Sequence, residues 1–524
     1  MTSTFTGIEI SKRSLFAQQA ALQTTGHNIS NANTQGYSRQ VVNFVASAPL
    51  EAPSMQRSTV PGQMGQGVEF DQIKRVREKF MDTQFYDENK TLGEWNTRKD
   101  TLEKLEAIVN EPSDTGVRQV IEGFWSAWQD VSKEPDNLTA RAALKEKALA
   151  MTDALNHTGK QLDDLKNDLT DNISVEVGSV NTMLTQVANL NREIFRTEGL
   201  GNNANDLRDQ RDLLVDNISK IVNVSATETS GGYTLKMGST ELVNGINVST
   251  ELTPDSLSAS LGSGDLQSGE IYGMFVSRDQ YVASYKFQFD SMVKSLVQGA
   301  VPVTLPAGSV IPPGTTLTGA DGNSYSGTLA ADTKVIVNGI NGMHQLGYTL
   351  EDPPKSGIPF FTLKEGATDF TADSITVNPD IVKKVANIAA SSRTYVDTDG
   401  KTKVVRGNND IALALAGMQN QKFDFDPNAN GTPLLTNGTF DEFLRAIVGQ
   451  LGVQSQEATR QTTNQQALVD QVDSRRQSVS GVSLDEEMAN MIKFQQSYNA
   501  AARALTTFDE MLDKVINSMG TVGR

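Results

Sequence analysis

The last forty residues of the chain carry a seven-residue repeat of apolar side chains. A first row recurs at every seventh position, and a second row follows it at a distance of three residues. Steps of three and four residues place both rows on one stripe of a helix, which is the pattern of a coiled coil that needs a partner. The first row is Leu484, Met491, Tyr498, Leu505, Leu512 and Met519, and the second is Phe494, Ala501, Phe508 and Val515.

The predicted helix has a recognisable beginning and end. Ser483 stands three residues before Glu486, the spacing of a capping box, in which each residue satisfies a backbone N–H at the helix start. The acidic residues that open the helix suit the positive end of its dipole. Gly520 is a typical terminator.

A second, shorter heptad pattern lies near the other end of the chain. An ordinary amphipathic helix on a globular core would explain it equally well if it stood alone. Because a heptad helix also occupies the opposite terminus, we predict that the two ends pair with each other and with neighbouring copies. The apolar positions of this helix are Ile8, Leu15, Leu22 and Ile29.

An Asn- and Gly-rich segment ends this N-terminal helix. Asn31, Asn33 and Gly36 are residue types that tolerate left-handed backbone conformations, and Tyr37 follows them directly. Locally the pattern indicates a corner between a helix and a short strand.

The middle of the chain alternates between helical and strand patterns. Helices are predicted over 71–109, 138–197, 205–222, 270–298 and 440–479, with a small sheet near 222–250 and β structure after 299. The predicted fold is mainly α with inserted β. Its predicted parts are a terminal coiled-coil domain (1–50 with 480–524), an elongated rod of long helices (51–298 with 381–479) and a small β-rich outer domain (299–380).

Composition limits the classes of function. The formal net charge of −17 argues against nucleic acid and anionic membrane surfaces, which call for clustered Lys and Arg. The absence of cysteine excludes disulfides and thiolate metal sites. No apolar run approaches the roughly 20 residues of a membrane span. The first residues lack the apolar region of a secretory signal, so we expect any export to use another route.

Candidate chemistry is sparse. His27, His157 and His344 are far apart and none has a metal-ligand spacing, so no metal and no cofactor is predicted. Trp125 and Trp128 at helical spacing are read as core in preference to a sugar-binding platform. The alternating charges of residues 205–222 indicate a solvated or ion-paired face, not a catalytic carboxylate pair. An enzyme is not predicted.

Two segments resemble a known group of proteins. NISNANTQGYSRQ, from residue 28, is similar to the N-terminal signature of the flagellar axial proteins, which comprise the rod, hook and hook-associated families. SGVSLDEEMANMIKFQQSYNAAARALTTFDEMLD, from residue 480, more specifically resembles the hook-associated family that joins hook to filament. The resemblance implies a structural protein of the extracellular flagellum that assembles with itself.

The same resemblance implies further partners and an export route. The expected neighbours are the hook protein and the next hook-associated protein. A cytosolic export chaperone is expected to shield the C-terminal stripe. The flagellar type III apparatus is expected to export the chain. Two kinds of alternative stay open on sequence grounds. One is a different axial protein, such as the third hook-associated protein or a flagellin, and the other is a secreted hydrolase or an adhesin on a coiled-coil stalk.

Overall fold

Helices make up most of the computed structural model, which describes residues 5–48, 65–109, 116–229, 232–425 and 433–518. The fold is mainly α with small inserted sheets, which confirms the class predicted from sequence. The Pro- and Gly-rich stretch near residues 50–64, Met519 and Gly520 lie outside the described residues. The helices are α1 Thr6–Ser30, α2 Lys79–Val109, α3 Val117–Lys133, α4 Leu138–Glu198, α5 Asn205–Ile221, α6 Pro254–Ser263, α7 Glu270–Val276, α8 Ala283–Gln298, α9 Gly339–Gln345, α10 Pro379–Lys383, α11 Asp410–Gly417, α12 Phe440–Ser480 and α13 Leu484–Asp513.

The described strands form small antiparallel sheets. Two sheets have four strands, in the orders β3-β4-β5-β6 and β7-β10-β8-β9, and the other strands pair two by two in sequence order. The strands are β1 Gln40–Ala46, β2 Val68–Arg75, β3 Ser225–Thr229, β4 Gly232–Met237, β5 Thr240–Asn244, β6 Asn247–Val248, β7 Ala300–Leu305, β8 Leu317–Gly319, β9 Ser324–Tyr325, β10 Thr333–Asn338, β11 Phe361–Leu363, β12 Ile375–Val377, β13 Thr394–Val396, β14 Thr402–Val404, β15 Phe423–Asp424 and β16 Asn437–Gly438.

One helix boundary predicted from sequence is wrong. The sequence pattern predicts a helix from residue 71, but residues 71–75 belong to strand β2 and α2 begins at Lys79. These residues are extended because β2 pairs antiparallel with β1, with Ile73 opposite Val42 and Phe70 opposite Phe44. A local helical pattern cannot outweigh a ladder of hydrogen bonds to a strand thirty residues earlier.

The chain divides into two compact units. The first comprises Met1–Glu94, Ser174–Tyr272 and Thr462–Arg524. In it, α1 packs against α13 and against both strands of the β1–β2 hairpin. Both terminal helices therefore belong to one unit. The finer division into terminal domain, rod and insertion stays a prediction.

The second unit comprises Trp95–Ile173 and Gly273–Gln461. Its core contains an aromatic cluster in which Trp128 lies 5.4 Å from Phe360, measured between ring centroids. Trp125 and Trp128 are fully buried, so the interpretation of this pair as core is confirmed. All three tryptophans of the chain lie in this unit.

Candidate assembly interface

The two terminal helices pair antiparallel. Near one end of the pair, Asn28 Nδ2 lies 3.0 Å from Glu487 Oε2. Near the other end, the ring of Phe508 covers Gly7 so closely that a Cβ there would lie 2.5 Å from it. From residue 7 to 28 and from 487 to 508 the separation is the same, 21 residues or three heptads. The helices are therefore aligned without a slip over this length.

Small side chains form the buried face of α1. Serine, alanine and threonine let helix backbones approach closely, whereas the larger heptad residues Ile8, Leu15, Leu22 and Ile29 are only half-buried. The sequence pattern therefore identified the helix but not its most buried positions. Those positions are Ser11, Ala17, Ala21, Thr24, Thr25 and Asn28.

The predicted stripe of α13 is only partly covered within one chain. Leu512 is buried, and Met491, Phe494, Tyr498 and Leu505 are half-buried. The Phe494 ring lies 6.0 Å from that of Phe44 on β1, which adds the hairpin to this contact. The predicted stripe also contains residues that are exposed, namely Leu484, Phe508 and Val515.

Further apolar side chains, which lie outside the predicted heptad rows, are exposed on α13 and on the turn that follows it. Ile492 has 60% of its surface exposed, and Ile516 has 68%. Met488 and Met511 are also more than half exposed. Much of the apolar surface of this helix is therefore left uncovered within one chain.

A buried amide connects α1, the hairpin and α13. Asn28 Nδ2 donates to Gln40 O (2.8 Å) and to Glu487, and Asn28 Oδ1 accepts from Gln40 N (3.0 Å) and from the hydroxyl of Tyr37 (2.8 Å). All four hydrogen-bonding positions of the amide are therefore used. Sequence reasoning missed Asn28 and Glu487, although Asn28 stands one heptad after Ala21 on the face that became buried.

The segment after α1 forms the corner predicted for it. The backbone N–H and the Nδ2 of Asn31 both donate to His27 O, which ends the helix. Gly36 has a φ of +78°, and a side chain there would also crowd Leu213. Asn33 is exposed on the turn. Burial is the largest cause that raises the pKa of Tyr37, and nearby carboxylates add to it.

The start of α13 is joined to the same corner. Ser483 Oγ accepts from Glu486 N at 3.5 Å, which is the first half of the predicted capping box. The Glu486 carboxylate accepts instead from Arg39 Nη1 at 2.8 Å. Arg39 N in turn donates to Ser480 O at the end of α12. The residues around Tyr37 thus fix the entry of α13.

The alternating charges of α5 are ion-paired, and many of them are buried. Arg75 Nη1, on β2, lies 2.7 Å from Asp209 and 2.9 Å from Asp212. Burial opposes ionisation of Asp212, but its guanidinium neighbours, Arg77 first, lower the pKa of this carboxyl. The sequence predicted either a solvated or an ion-paired face for this helix, and the structure has the ion-paired face.

The same network reaches the C-terminal segment. Arg476 Nη1, on α12, lies 2.8 Å from Asp216 Oδ2, and the Arg476 guanidinium stacks at 4.0 Å on the ring of Phe85. Burial raises the pKa of Asp216 to about 6, although Arg476 and Arg77 act in the opposite direction. The network therefore joins three separate stretches of the first unit.

Within the described ranges, no group of three or more His, Asp or Glu side chains is placed to hold a metal ion. No helix in the same ranges has the length and hydropathy of a membrane span.

Family models of flagellar axial proteins match both of the paired terminal helices. The model of the "Flagella basal body rod protein" matches residues 8–37, and that of the "Flagellar basal body rod FlgEFG protein C-terminal" matches 473–519. A third model, the "Flagellar hook-associated protein FlgK helical domain", matches residues 102–300.

Comparison with individual proteins narrows the assignment from the flagellar axial proteins in general to one family. Flagellar hook-associated protein 1 of Bacillus subtilis is 33% identical over 535 residues, covering 100% of both chains. The protein of the same name from Salmonella typhimurium is 26% identical over 563 residues, covering 96% of this chain and 98% of the relative. The solved flagellar hook junction protein FlgK from Burkholderia pseudomallei aligns with 15% identity and a TM-score of 0.47, over 76% of this chain and 100% of that one.

The chain belongs to the flagellar hook-associated protein 1 family. It is a structural component of the bacterial flagellum, and it assembles with other axial components of that extracellular structure. The assignment excludes the third hook-associated protein and flagellin.

Proposed function

We propose that the chain forms the hook-side part of the hook–filament junction by packing its paired terminal helices against those of neighbouring copies. The observation that carries this proposal is the incomplete burial of the α13 stripe. Residues at heptad positions, such as Leu484 and Val515, remain exposed in one chain although α1 already covers part of the helix. Neighbouring copies are the partner that such a repeated stripe fits.

The proposal includes the partners that the sequence resemblance implies. The hook protein would contact the ring of subunits from below, and the next hook-associated protein from above. Before export through the flagellar type III apparatus, a chaperone would cover α13, because an exposed apolar stripe promotes aggregation. The β-rich segment of residues 299–380 would project outward from the helical rod.

A non-enzymatic role is supported by the ion pairing of the polar groups in a cleft of the first unit. This cleft, of about 480 Å³, is lined by charged residues including Arg476, Asp216 and Asp473. Asp216 and Asp473 both pair with Arg476, at 2.8 and 3.0 Å. Carboxylates already held by a guanidinium are poorly suited to act as a general acid and base.

A charge in the α13 stripe tests the proposal. Leu505→Asp would place a carboxylate at a half-buried heptad position, where desolvation disfavours it. We expect the variant to be exported but to leave cells that lack their own hook-associated protein 1 without attached filaments. Electron microscopy and swimming assays measure this.

The matched control for this variant is Thr506→Asp. It adds the same charge at an exposed position of α13 about 100° around the helix from Leu505, with the polar side chains of Arg503 and Glu510 one turn away on either side. We expect it to support attached filaments. If cells with Leu505→Asp build attached filaments as the control does, the stripe is not the assembly surface.

A further inference from the structure

The contact between Asn28 and Glu487, which we call the register contact, is a polar contact set among small and apolar side chains. Asn28 is 1% exposed and Glu487 is 3% exposed. A neutral amide donates to a buried carboxylate here, and such a contact contributes little to stability. We propose that the register contact serves instead to select one alignment of α1 on α13.

Apolar packing alone specifies this alignment poorly. The buried face of α1 repeats small residues at steps of three and four, as in Ala17, Ala21 and Thr24. Heptad rows on α13 offer an equivalent surface after every seventh residue. A slip by one heptad, about 10.5 Å along the axis, would therefore bury a similar apolar area.

The register contact distinguishes these alignments. In the antiparallel pair, a slip in one direction would place Glu487 opposite Ala21, and a slip in the other would place Asn28 opposite Phe494. Either slip leaves a buried polar group against an apolar one. Such a group loses its hydrogen bond without regaining water, so both slipped alignments are penalised.

Asn28 is itself held in place by other hydrogen bonds, so its position determines where Glu487 must lie. Its remaining hydrogen bonds go to the backbone of Gln40 and the hydroxyl of Tyr37. The contact therefore aligns α13 with the hairpin as well as with α1. The alignment would also decide how the exposed side chains of α13 meet a neighbouring copy. That consequence rests on the proposed function, whereas the alignment itself does not.

Distance measurements in the isolated full-length chain test the proposal. Because the chain has no cysteine, Phe16→Cys on α1 and Ile492→Cys on α13, both exposed, give a unique pair of spin labels. We expect one inter-label distance with the register contact intact. Asn28→Leu with Glu487→Leu should add a second population whose helices are displaced by about 10 Å.

Two further variants keep the test decisive. Glu487→Leu alone, which leaves the bonds of Asn28 to Gln40 and Tyr37, should also add the second population, and it replaces the double variant if that one does not fold. The control Asn33→Leu with Thr507→Leu changes two exposed residues and should keep one distance. A single unchanged distance in the folded register variants would overturn the proposal.

The readout separates this inference from the proposed function. The distances are measured in the monomer and do not depend on assembly. If the register variants show two populations and yet build attached filaments normally, the register contact stands and its consequence for assembly fails. If Leu505→Asp also assembles, the proposed function fails independently.

Discussion

Replacing Arg476 by methionine is expected to lower the free energy of unfolding of the first unit by about 3–5 kcal/mol at neutral pH. The side chains of Arg476 and Asp216 are both largely buried, 2.8 Å apart. Methionine keeps most of the apolar stem over Phe85 but removes the charge. The carboxylate of Asp216 would then be buried without its principal cation.

The loss should be smaller in mild acid. The pKa of Asp216 is already raised to about 6 by burial, and removal of Arg476 raises it further. A raised pKa means that the folded state takes up the proton more readily than the unfolded chain, so lowering the pH from 7.5 to 5 relieves the penalty. Urea unfolding followed by far-ultraviolet circular dichroism at both pH values measures this.

The adjacent Arg475 provides the control. It is exposed on the same helix, so Arg475→Met should change the free energy of unfolding by no more than about 0.5 kcal/mol. Equal stabilities of the two variants would show that the buried network does not hold the first unit together.

His344 should make the second unit sensitive to acid. It is fully buried beside Trp128; its Nδ1–H donates to Ile358 O at 2.7 Å and its Nε2 accepts from Ala389 N at 2.8 Å. Desolvation lowers the pKa of this imidazole to about 4. Protonation would also remove the acceptor for Ala389.

The direction of the pH effect follows from linkage. The unfolded chain binds a proton at His344 near pH 6.5 and the folded chain only near pH 4, so stability from this group is complete above 6.5 and is lost as the pH falls towards 4. The loss amounts to about 3 kcal/mol. Tryptophan fluorescence follows it in the second unit, which contains all three tryptophans.

Two glutamine variants isolate the effect of His344. His344→Gln cannot take up the proton, so its stability should fall by about 3 kcal/mol less than that of the unchanged chain over this pH range. His157→Gln, at an exposed position of α4, should keep the full pH dependence. Identical pH profiles for all three chains would contradict the assignment.

Local patterns predicted the long helices well. The extents of α4 and α12 each match their predicted ranges to within one residue. The apolar residues of α4 recur at steps of three and four with few gaps, whereas α12 is a long, largely polar helix. The two terminal heptad helices were found from the same kind of spacing as in α4. The strand at residues 71–75 was missed, since its assignment depends on pairing with β1 and not on its own pattern.

The contacts that hold the candidate interface together are distant in sequence. Glu487 is 459 residues from Asn28, and Arg476 is 260 residues from Asp216. The heptads predict that α1 and α13 meet, but they give neither the antiparallel direction nor the alignment. A residue such as Asn28 reads as part of a turn signature until its partners are known.

Cysteine labelling in the assembled flagellum tests the central claim, that neighbouring copies cover the side chains of α13 that one chain leaves exposed. Ile492→Cys would be the only cysteine, on a side chain that is 60% exposed in the single chain. We predict rapid reaction with a maleimide in the dilute monomer, strong protection in purified hook–filament structures, and recovery when these are dissolved in urea. Equal reaction rates in the monomer and the intact assembly would contradict the account.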